Sequence, residues 1–281
     1  KTSIKNYLYH VLKNKYKVYK TPRSVNTIGG IVLDVNKDLT LDTQIYIAEA
    51  GARVQGDIEE IAMFLEPQIC VIGSVGEQHI EYFKTLENIR NTKMELIHSS
   101  RLEKAFVHES AHIKGTDTIL SFGDELGDVE STLQGLSFTM MLDGKKEHFH
   151  CNLLGAFNAI NIAAAIHVAR TLGLSIEEIK EAVATLKGVE HRLQKIEAGG
   201  KLIIDDSFNG NLEGMLSSYA LVATHSGRKV IITPGIVEST EEANTTLAKK
   251  IDEVFDLVII TGKMNVNILD HIKVDYYGTM T

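Results

Sequence analysis

Residues 44–73 read QIYIAEAGARVQGDIEEIAMFLEPQICVIG, and this stretch decides the fold class. The runs at 44–49 and 68–73 are short and apolar, which is typical of buried strands. Between them, residues 56–66 carry apolar side chains at helical spacing, and Pro67 ends that helix. A strand, a helix and a second strand in this order predict parallel strands that a helix connects.

The same alternation continues on both sides. Further elements are predicted as a helix at 3–14, a strand at 16–21 and helices at 83–98, 155–171 and 175–186. Ser175 and Glu178 predict a capping box for the last helix. Within 105–151 the strands are short, and Asp143-Gly144 between two alternating runs predicts a hairpin. We therefore expect a mostly parallel α/β sheet with flanking helices and a small antiparallel section, in a first domain at 1–189.

A second domain is predicted to begin near residue 190. Its strands are expected at 201–205, 229–233 and 257–261, and its helices at 211–224, 240–254 and 264–272. This alternation predicts a Rossmann-like α/β domain at 190–281. The last residues, 275–281, show no clear element.

Charge and cysteine usage narrow the function classes. The net charge of -8 argues against a nucleic-acid partner, whereas a nucleotide needs only a few local donors. No apolar run approaches the ~20 residues of a membrane span, so we expect no membrane insertion. Cys70 and Cys151 are far apart in the sequence, and two buried, reduced thiols are consistent with a cytoplasmic protein.

Four segments carry residues suited to phosphate and metal chemistry. Lys1-Thr2-Ser3 opens a helix, where a lysine and a hydroxyl can hold phosphate oxygens and Mg²⁺. Glu49 follows a buried strand, at the edge where open α/β sheets bind ligands. His79 follows the next strand, and Lys93 lies on the helix after it. Taken singly, each of these residues has an ordinary structural explanation. The prediction of a phosphate and metal site therefore rests on the occurrence of all four segments in this order.

Two groups of histidines are expected to have no metal role. On a strand, His148 and His150 share one face and Cys151 lies on the other, so a zinc site is not expected there. His108 and His112 lie in a stretch that reads as strand or loop. We expect both of these on the surface.

Several segments, in order along the chain, resemble the Mur ligases, which are ATP-dependent enzymes that add amino acids to the peptidoglycan precursor. They are TPRSVNTIG at 21–29, IAEAGA at 47–52 with GDI at 56–58, HIEYF at 79–83, KME at 93–95, GAFNAIN at 155–161, HRL at 191–193, IDDSFNGN at 204–211 and TPGIVE at 233–238. The chain looks most like the members that join D-Ala-D-Ala to UDP-N-acetylmuramoyl-tripeptide through an acyl phosphate. The resemblance implies a phosphate-loop-type central sheet, ATP and Mg²⁺ as cofactors, and a cytoplasmic, monomeric enzyme of cell-wall synthesis.

The resemblance also assigns phosphate and metal roles. Lys1 and Ser3 would bind ATP, and Thr2 with Glu49 would ligate the first Mg²⁺.

The catalytic residues that the resemblance implies are Lys1 and two later residues, His79 and Lys93. His79 would serve the second metal, and Lys93 matches a lysine that CO₂ carbamylates. Carbamylation turns an ammonium, which two Mg²⁺ ions would repel, into an anion that helps to hold them.

Polar residues further along match nucleotide and substrate contacts of the family. Asn158 and Asn161, at i and i+3 on one helix face, match asparagines that meet adenine. The other matches are Arg192, Asp206 and Asn209 for the ATP ribose and phosphates, and Asn26 and Asn211 for the substrate.

The chain departs from the family pattern at several places. Phe157 stands where histidine is frequent, so an apolar contact is expected there, and Leu212 replaces a usual proline. Residues 233–235 differ from some relatives, and no role is carried over to them. By the family pattern we expect the chain to begin inside its phosphate-binding loop, to lack the UDP-binding domain and to end before its C-terminal domain is complete. This piece alone is then expected to be inactive.

Two other interpretations remain open. The first is another amino-acid ligase, of the Mur or folylpolyglutamate-synthase type, which the choice of amine acceptor would distinguish. The second is a non-catalytic nucleotide-binding relative. The presence of Glu49, His79 and Lys93 argues against this relative, and amine-dependent ATP hydrolysis would exclude it.

Overall fold

The structure, a computed structural model, describes residues 2–23, 25–76, 83–208, 210, 212–236, 240–262 and 265–280. The chain forms two compact units. Unit 1 contains Lys1–Val129, Ser137–Cys151 and Phe157–Leu186, and unit 2 contains Glu130–Leu136, Asn152–Ala156 and Lys187–Thr281. The division into functional domains at 1–189 and 190–281 stays a prediction.

Unit 1 alternates helices and parallel strands. Its described helices are α1 Thr2–Leu12, α2 Ile28–Asp38, α3 Asp57–Leu65, α4 Leu86–Met94, α5 Phe157–Thr171 and α6 Ile176–Ala184. Its described parallel strands are β1 Val18–Lys20, β2 Ile45–Ile47, β3 Ile69–Ile72, β4 Lys104–His108 and β5 Ile119–Phe122. Strand β1 pairs with β2, and β3, β4 and β5 pair in that order. The predicted α/β fold with parallel sheets is confirmed.

Local signals explain where the helices begin. Ser175 and Glu178 form the predicted capping box of α6. Helix α2 was not predicted, although Thr27 before it accepts a hydrogen bond from the backbone N–H of Gly30 and is the signal that could have located it. Residues 95–98, expected to continue α4, form a 3₁₀ turn instead.

Helix α5 lies at the centre of the unit 1 core. Residues 162–166 are fully buried, as expected of a helix that is apolar on all sides. Helix α1 packs against it, and Tyr7 Oη donates a hydrogen bond of 2.9 Å to Asn158 Oδ1. Among the described helices of both units, none is long and apolar enough to cross a lipid bilayer.

A three-stranded meander follows β5. It consists of β6 Leu126–Thr132, β7 Gly135–Leu142 and β8 Lys145–Cys151, in that order. Asp143 and Gly144 have φ values of 49° and 74°, and two positive values are what a two-residue hairpin turn requires. The predicted hairpin is confirmed. His148 and His150 are exposed while Cys151 is buried, so they face opposite sides of β8 as expected.

His108 differs from its prediction. It is buried at the end of β4, and its ring meets Phe122 edge-on with centroids 5.4 Å apart. The expected surface position is wrong because β4 is the central strand of its sheet and is buried along most of its length. His112 is exposed, as predicted.

Unit 2 has its own parallel sheet and core. Its described elements are β9 Gln194–Ala198, β10 Lys201–Asp205, α7 Leu212–Ala223, β11 Val230–Thr233, α8 Glu241–Val254, β12 Leu257–Thr261 and β13 Asp275–Met280. Strands β11, β12 and β13 pair in parallel. Leu247 and Ile251 of α8 pack with Val258 and Ile260 of β12 in one buried cluster.

The strand expected at 201–205 is observed as β10, and it pairs antiparallel with β9, a strand that was not predicted. The overlooked signal is Gly199-Gly200, whose φ values of 58° and 71° form the two-residue turn. The helix expected at 264–272 is a 3₁₀ turn at Val266–His271, and the chain end forms β13.

Asp34 connects α2 to the first strand pair. Its side chain is 5% exposed, and its two oxygens accept hydrogen bonds from Tyr19 Oη at 2.7 Å and Tyr46 Oη at 3.1 Å. The two tyrosine rings stack with centroids 6.0 Å apart. Burial and the neighbouring Asp34 raise the pKa of Tyr19 to about 12, and they raise the pKa of Tyr46 as well. Both hydroxyl groups are therefore protonated donors at neutral pH.

We expect Asp34→Ala to lower the free energy of unfolding by about 2–3 kcal/mol, because two shielded hydroxyls lose their acceptor. Asp38→Ala is the matched control, since Asp38 is exposed on the same helix, and it should change stability by less than about 0.5 kcal/mol. Urea unfolding measures both. Equal effects of the two substitutions would contradict this role for Asp34.

Candidate active site

Thr2 and Glu49 meet at one edge of unit 1. Thr2 lies in the first turn of α1, and Glu49 follows the end of β2 by two residues. Thr2 Oγ1 donates a hydrogen bond of 3.0 Å to Glu49 Oε1. The structure thus brings together a helix N-terminus and the carboxyl end of a parallel strand, the arrangement that binds anions and their cations in α/β proteins.

Lys5 contacts the same carboxylate and was not identified from the sequence. Its Nζ lies 3.1 Å from Glu49 Oε2, 3.3 Å from Thr21 Oγ1 and 2.7 Å from the carbonyl oxygen of Arg23. Lys5 precedes Leu8 by three residues and therefore lies on the apolar face of α1. A lysine on that face was the signal that could have found it.

The donor set at Glu49 fits a hard divalent cation. The Thr2 hydroxyl and the Glu49 carboxylate supply adjacent oxygen atoms, which Mg²⁺ prefers to nitrogen or sulfur. The ammonium of Lys5 offsets the charge of Glu49, so a cation there would share the carboxylate with it.

Ser3 lies next to Thr2 in the first turn, whereas Lys1 is outside the described residues.

Asn26 lies beside the segment that follows Glu49. The backbone N–H of Gly51 donates a hydrogen bond of 2.8 Å to the carbonyl oxygen of Asn26. A Cβ atom on Gly51 would lie only 2.7 Å from Asn26 Nδ2, so the Asn26 side chain would have to move to admit a larger residue there. The predicted substrate residue and the predicted metal ligand therefore belong to neighbouring segments.

Lys93 lies in the last turn of α4 and contacts the loop after β3. Its Nζ donates a hydrogen bond of 2.8 Å to the carbonyl oxygen of Ser74. The same loop is held by Ser110 Oγ, which accepts a hydrogen bond of 2.8 Å from the backbone N–H of Val75. Ser110 was missed in the sequence. His79, which comes later in the sequence, is outside the described residues.

Glu95, which shares the Lys-x-Glu segment with Lys93, has a structural role. Its carboxylate is buried and accepts hydrogen bonds from the backbone N–H groups of Gly56 at 2.8 Å and Glu59 at 3.2 Å. These groups lie at the start of α3, where a negative charge is favourable. Helix α3 is therefore capped by a residue distant in sequence.

Asn158 and Asn161 are buried rather than solvated. They are 4% and 6% exposed, and Asn161 Nδ2 donates a hydrogen bond of 3.2 Å to Asn158 Oδ1. Tyr7 donates to the same oxygen, so the pair is oriented from α1. Their expected position on one face of a helix is observed. Phe157, at the start of that helix, is about half exposed.

In unit 2, Arg192 and Asp206 belong to two segments that are bonded to each other. Asp206 Oδ1 accepts a hydrogen bond of 3.0 Å from the backbone N–H of Leu193, and Asp206 Oδ2 accepts one of 2.8 Å from Ser218 Oγ. The guanidinium carbon of Arg192 lies 4.2 Å from the ring centroid of Phe208. Asp206 thus holds the turn that presents Arg192. Asn209 and Asn211 are outside the described residues.

Asp205, next to Asp206, pairs with a histidine of the same turn. His191 Nδ1 lies 2.8 Å from Asp205 Oδ2, and the backbone φ of His191 is 62°. Burial alone would raise the pKa of Asp205, but hydrogen bonds from Ser207 and His191 outweigh it and lower that pKa. An ionised carboxylate therefore supports the turn at neutral pH.

Comparison with known proteins finds relatives over the whole chain. Residues 1–169 match the family model for the Mur ligase middle domain. A UDP-N-acetylmuramoyl-tripeptide–D-alanyl-D-alanine ligase of Bacillus subtilis (strain 168) is 26% identical over 251 residues, which cover 85% of this chain and 54% of that protein. The chain thus spans about half the length of this relative.

Solved structures show the same fold. A MurF ligase from Thermotoga maritima, in complex with ADP, has a TM-score of 0.80 at 28% identity and covers 99% of this chain and 68% of its own. A MurF crystal structure from Acinetobacter baumannii has a TM-score of 0.91 at 23% identity, over 100% of this chain and 65% of its own.

We expect Gly51→Ala to lower the free energy of unfolding by about 1–3 kcal/mol, because the new methyl group must displace Asn26. Gly29→Ala is the control, since no atom lies within 4 Å of its added Cβ and alanine favours a helix. Chemical unfolding of both variants checks this expectation. A Gly51→Ala protein as stable as the control would show that Asn26 is not held against this backbone.

Proposed function

Because the chain belongs to the Mur ligase family, we propose that the intact protein is an ATP-dependent ligase that joins D-Ala-D-Ala to UDP-N-acetylmuramoyl-tripeptide. The relatives of Bacillus subtilis and Thermotoga maritima support this activity and the use of ATP. The observation that carries the proposal is the contact between Thr2, at a helix N-terminus, and Glu49, at a strand end. The enzyme would act as a cytoplasmic monomer in peptidoglycan precursor synthesis.

The proposed reaction solves a problem of chemistry in water. A carboxylate is a poor electrophile, so the γ-phosphoryl group of ATP is first transferred to the carboxylate of the tripeptide, which gives an acyl phosphate and ADP. The amine of D-Ala-D-Ala then attacks the carbonyl carbon. The tetrahedral intermediate collapses to the amide and releases inorganic phosphate. Catalysis depends mainly on positioning and on compensation of charge at the phosphates.

The start of α1 is suited to the phosphates. The N–H groups of its first turn and the side chains of Lys1 and Ser3 would bind phosphate oxygens. Thr2 and Glu49 would hold Mg²⁺, which when bound neutralises the charge that develops on the transferred group.

Lys93 and His79 would serve a second cation. Lys93 lies at the loop after β3, with its Nζ on the carbonyl oxygen of Ser74. We propose that CO₂ carbamylates this amine, which replaces a cation by an anion. The hydrogen bond to Ser74 fixes the position of the nitrogen that would react.

Further polar residues would contact the nucleotide and the substrate. Asn158 and Asn161 form an oriented pair of amides, which suits the hydrogen-bonding edge of adenine. The further proposed contacts are Arg192, Asp206 and Asn209 for the ribose and phosphates, and Asn26 and Asn211 for the substrate. Residues 1–189 would form the ATP-binding domain and residues 190–281 part of the ligase domain.

Glu49→Gln and Lys93→Ala in the intact protein should each reduce D-Ala-D-Ala-dependent phosphate release by about a hundredfold or more, since each removes a charge that the transition state needs. Arg90→Ala is the control, because Arg90 is a cation on the same helix as Lys93 and pairs only weakly with Glu87 at 3.7 Å. Near-normal rates in both Glu49→Gln and Lys93→Ala would contradict the proposal.

The choice of amine acceptor tests the substrate class. With the tripeptide substrate and ATP, phosphate release should require D-Ala-D-Ala and should stay at background with single amino acids. Preference for a single amino acid would indicate another Mur-type or folylpolyglutamate-synthase-like ligase. ATP hydrolysis that no amine stimulates would indicate a nucleotide-binding relative without ligase activity.

A further inference from the structure

Lys5 is an ammonium enclosed by three oxygen atoms. Its side chain is 3% exposed, and that of its partner Glu49 is 10% exposed. The ammonium donates hydrogen bonds to Thr21 Oγ1 and to the carbonyl oxygen of Arg23, and it forms an ion pair with the Glu49 carboxylate. The three oxygens come from the end of β2 and the segment after β1, so one side chain of α1 holds two loops at the same edge.

This arrangement is not explained by stability alone. Burying a lysine and a glutamate requires both to leave water, and an apolar pair of similar volume is often as stable or more stable. Methionine at position 5 would fill much of the same space without a charge. A buried ion pair next to the Thr2 hydroxyl therefore points to a task that needs the charge.

The charge of Lys5 acts on the proposed metal ligand itself. Glu49 Oε1 accepts a hydrogen bond from Thr2, and Oε2, which is buried, forms an ion pair with Lys5 at 3.1 Å without a hydrogen bond. A divalent cation that binds Thr2 and Glu49 meets a positive charge on the far oxygen of the same carboxylate. Coulombic repulsion between these like charges weakens cation binding, and solvent screening reduces the effect without removing it.

We infer that Lys5 is a positioning residue with a second effect. It holds the Glu49 carboxylate beside Thr2, and it sets the cation affinity of this pair by competing for the carboxylate. The inference rests on the proposed function, which places a divalent cation at Thr2 and Glu49. It adds that the site is built to bind a free cation weakly and to bind it well only when nucleotide phosphates bring further negative charge.

Lys20 supplies a matched control. It is a lysine near Lys5, but its Nζ donates a hydrogen bond of 2.5 Å to Asn6 Oδ1 and lies over the ring of Tyr9. Burial and then the charge of Lys5 lower the pKa of Lys20, so the two ammonium groups share one electrostatic environment. Lys20→Met therefore removes a nearby positive charge without removing the contact with Glu49.

The experiment measures binding of Mn²⁺ to the intact protein without nucleotide, from the electron paramagnetic resonance signal of the free ion. Lys5→Met should bind Mn²⁺ about tenfold more tightly than wild type, or more, because the competing charge is gone. Lys20→Met, which removes a nearby charge but leaves the ion pair between Lys5 and Glu49 in place, should raise the affinity much less than Lys5→Met does. Adding Glu49→Gln to Lys5→Met should abolish the gain, which assigns it to this carboxylate. Lys5→Gln, which keeps a hydrogen-bond donor, gives the same test if Lys5→Met does not fold.

Two results would overturn the inference. One is a Lys5→Met or Lys5→Gln protein that has a lower Tm but the Mn²⁺ affinity of wild type, which would make Lys5 purely structural. The other is the absence of Mn²⁺ binding that depends on Glu49 in every variant. Ligation with D-Ala-D-Ala is measured in parallel on the wild-type protein. If ligation is present while the Mn²⁺ result is negative, the inference fails and the proposed function stands; if ligation is also absent, both fail.

Discussion

The arrangement of the loops at one edge of unit 1 depends on the carboxylate of Glu49 and on the two side chains of α1 that contact it. Thr2 donates a hydrogen bond of 3.0 Å to one of its oxygens, and Lys5 forms an ion pair with the other at 3.1 Å. Because Lys5 also binds the segment after β1, the start of α1 and the ends of β1 and β2 are connected at one point. A change at Glu49 therefore alters both the charge at the helix start and the position of the loops around it.

The loop after β3 is held in the same manner, from two directions. Lys93 bonds the carbonyl oxygen of Ser74, and Ser110 accepts the N–H of Val75. Two residues after Lys93, Glu95 caps α3. The end of α4 thus serves the proposed cation chemistry with one side chain and the stability of a neighbouring helix with another.

Much of the fold and part of the candidate site were predictable, because their signals are local. Alternation of apolar runs predicted the parallel strands, and Asp143-Gly144 predicted the hairpin. Thr2, Glu49 and Lys93 were candidates from their order along the chain, and the structure places Thr2 against Glu49 and Lys93 against Ser74. The antiparallel pairing of β10 with β9 was not predicted. Gly199-Gly200 indicates a two-residue turn there, but apolar and polar residues alternate only weakly on either side of it.

The sequence by itself determined the starts of helices with a local cap, such as α6, the tight turns and the order of the candidate residues, because capping boxes, turn formation and periodicity act over a few neighbouring residues. Only the tertiary structure decided that Lys5 is buried against Glu49, that Gly51 must admit Asn26 and that His108 lies inside. Burial and long-range hydrogen bonds depend on which elements pack together. A lysine on a helix has the same letter whether it faces water or completes an ion pair.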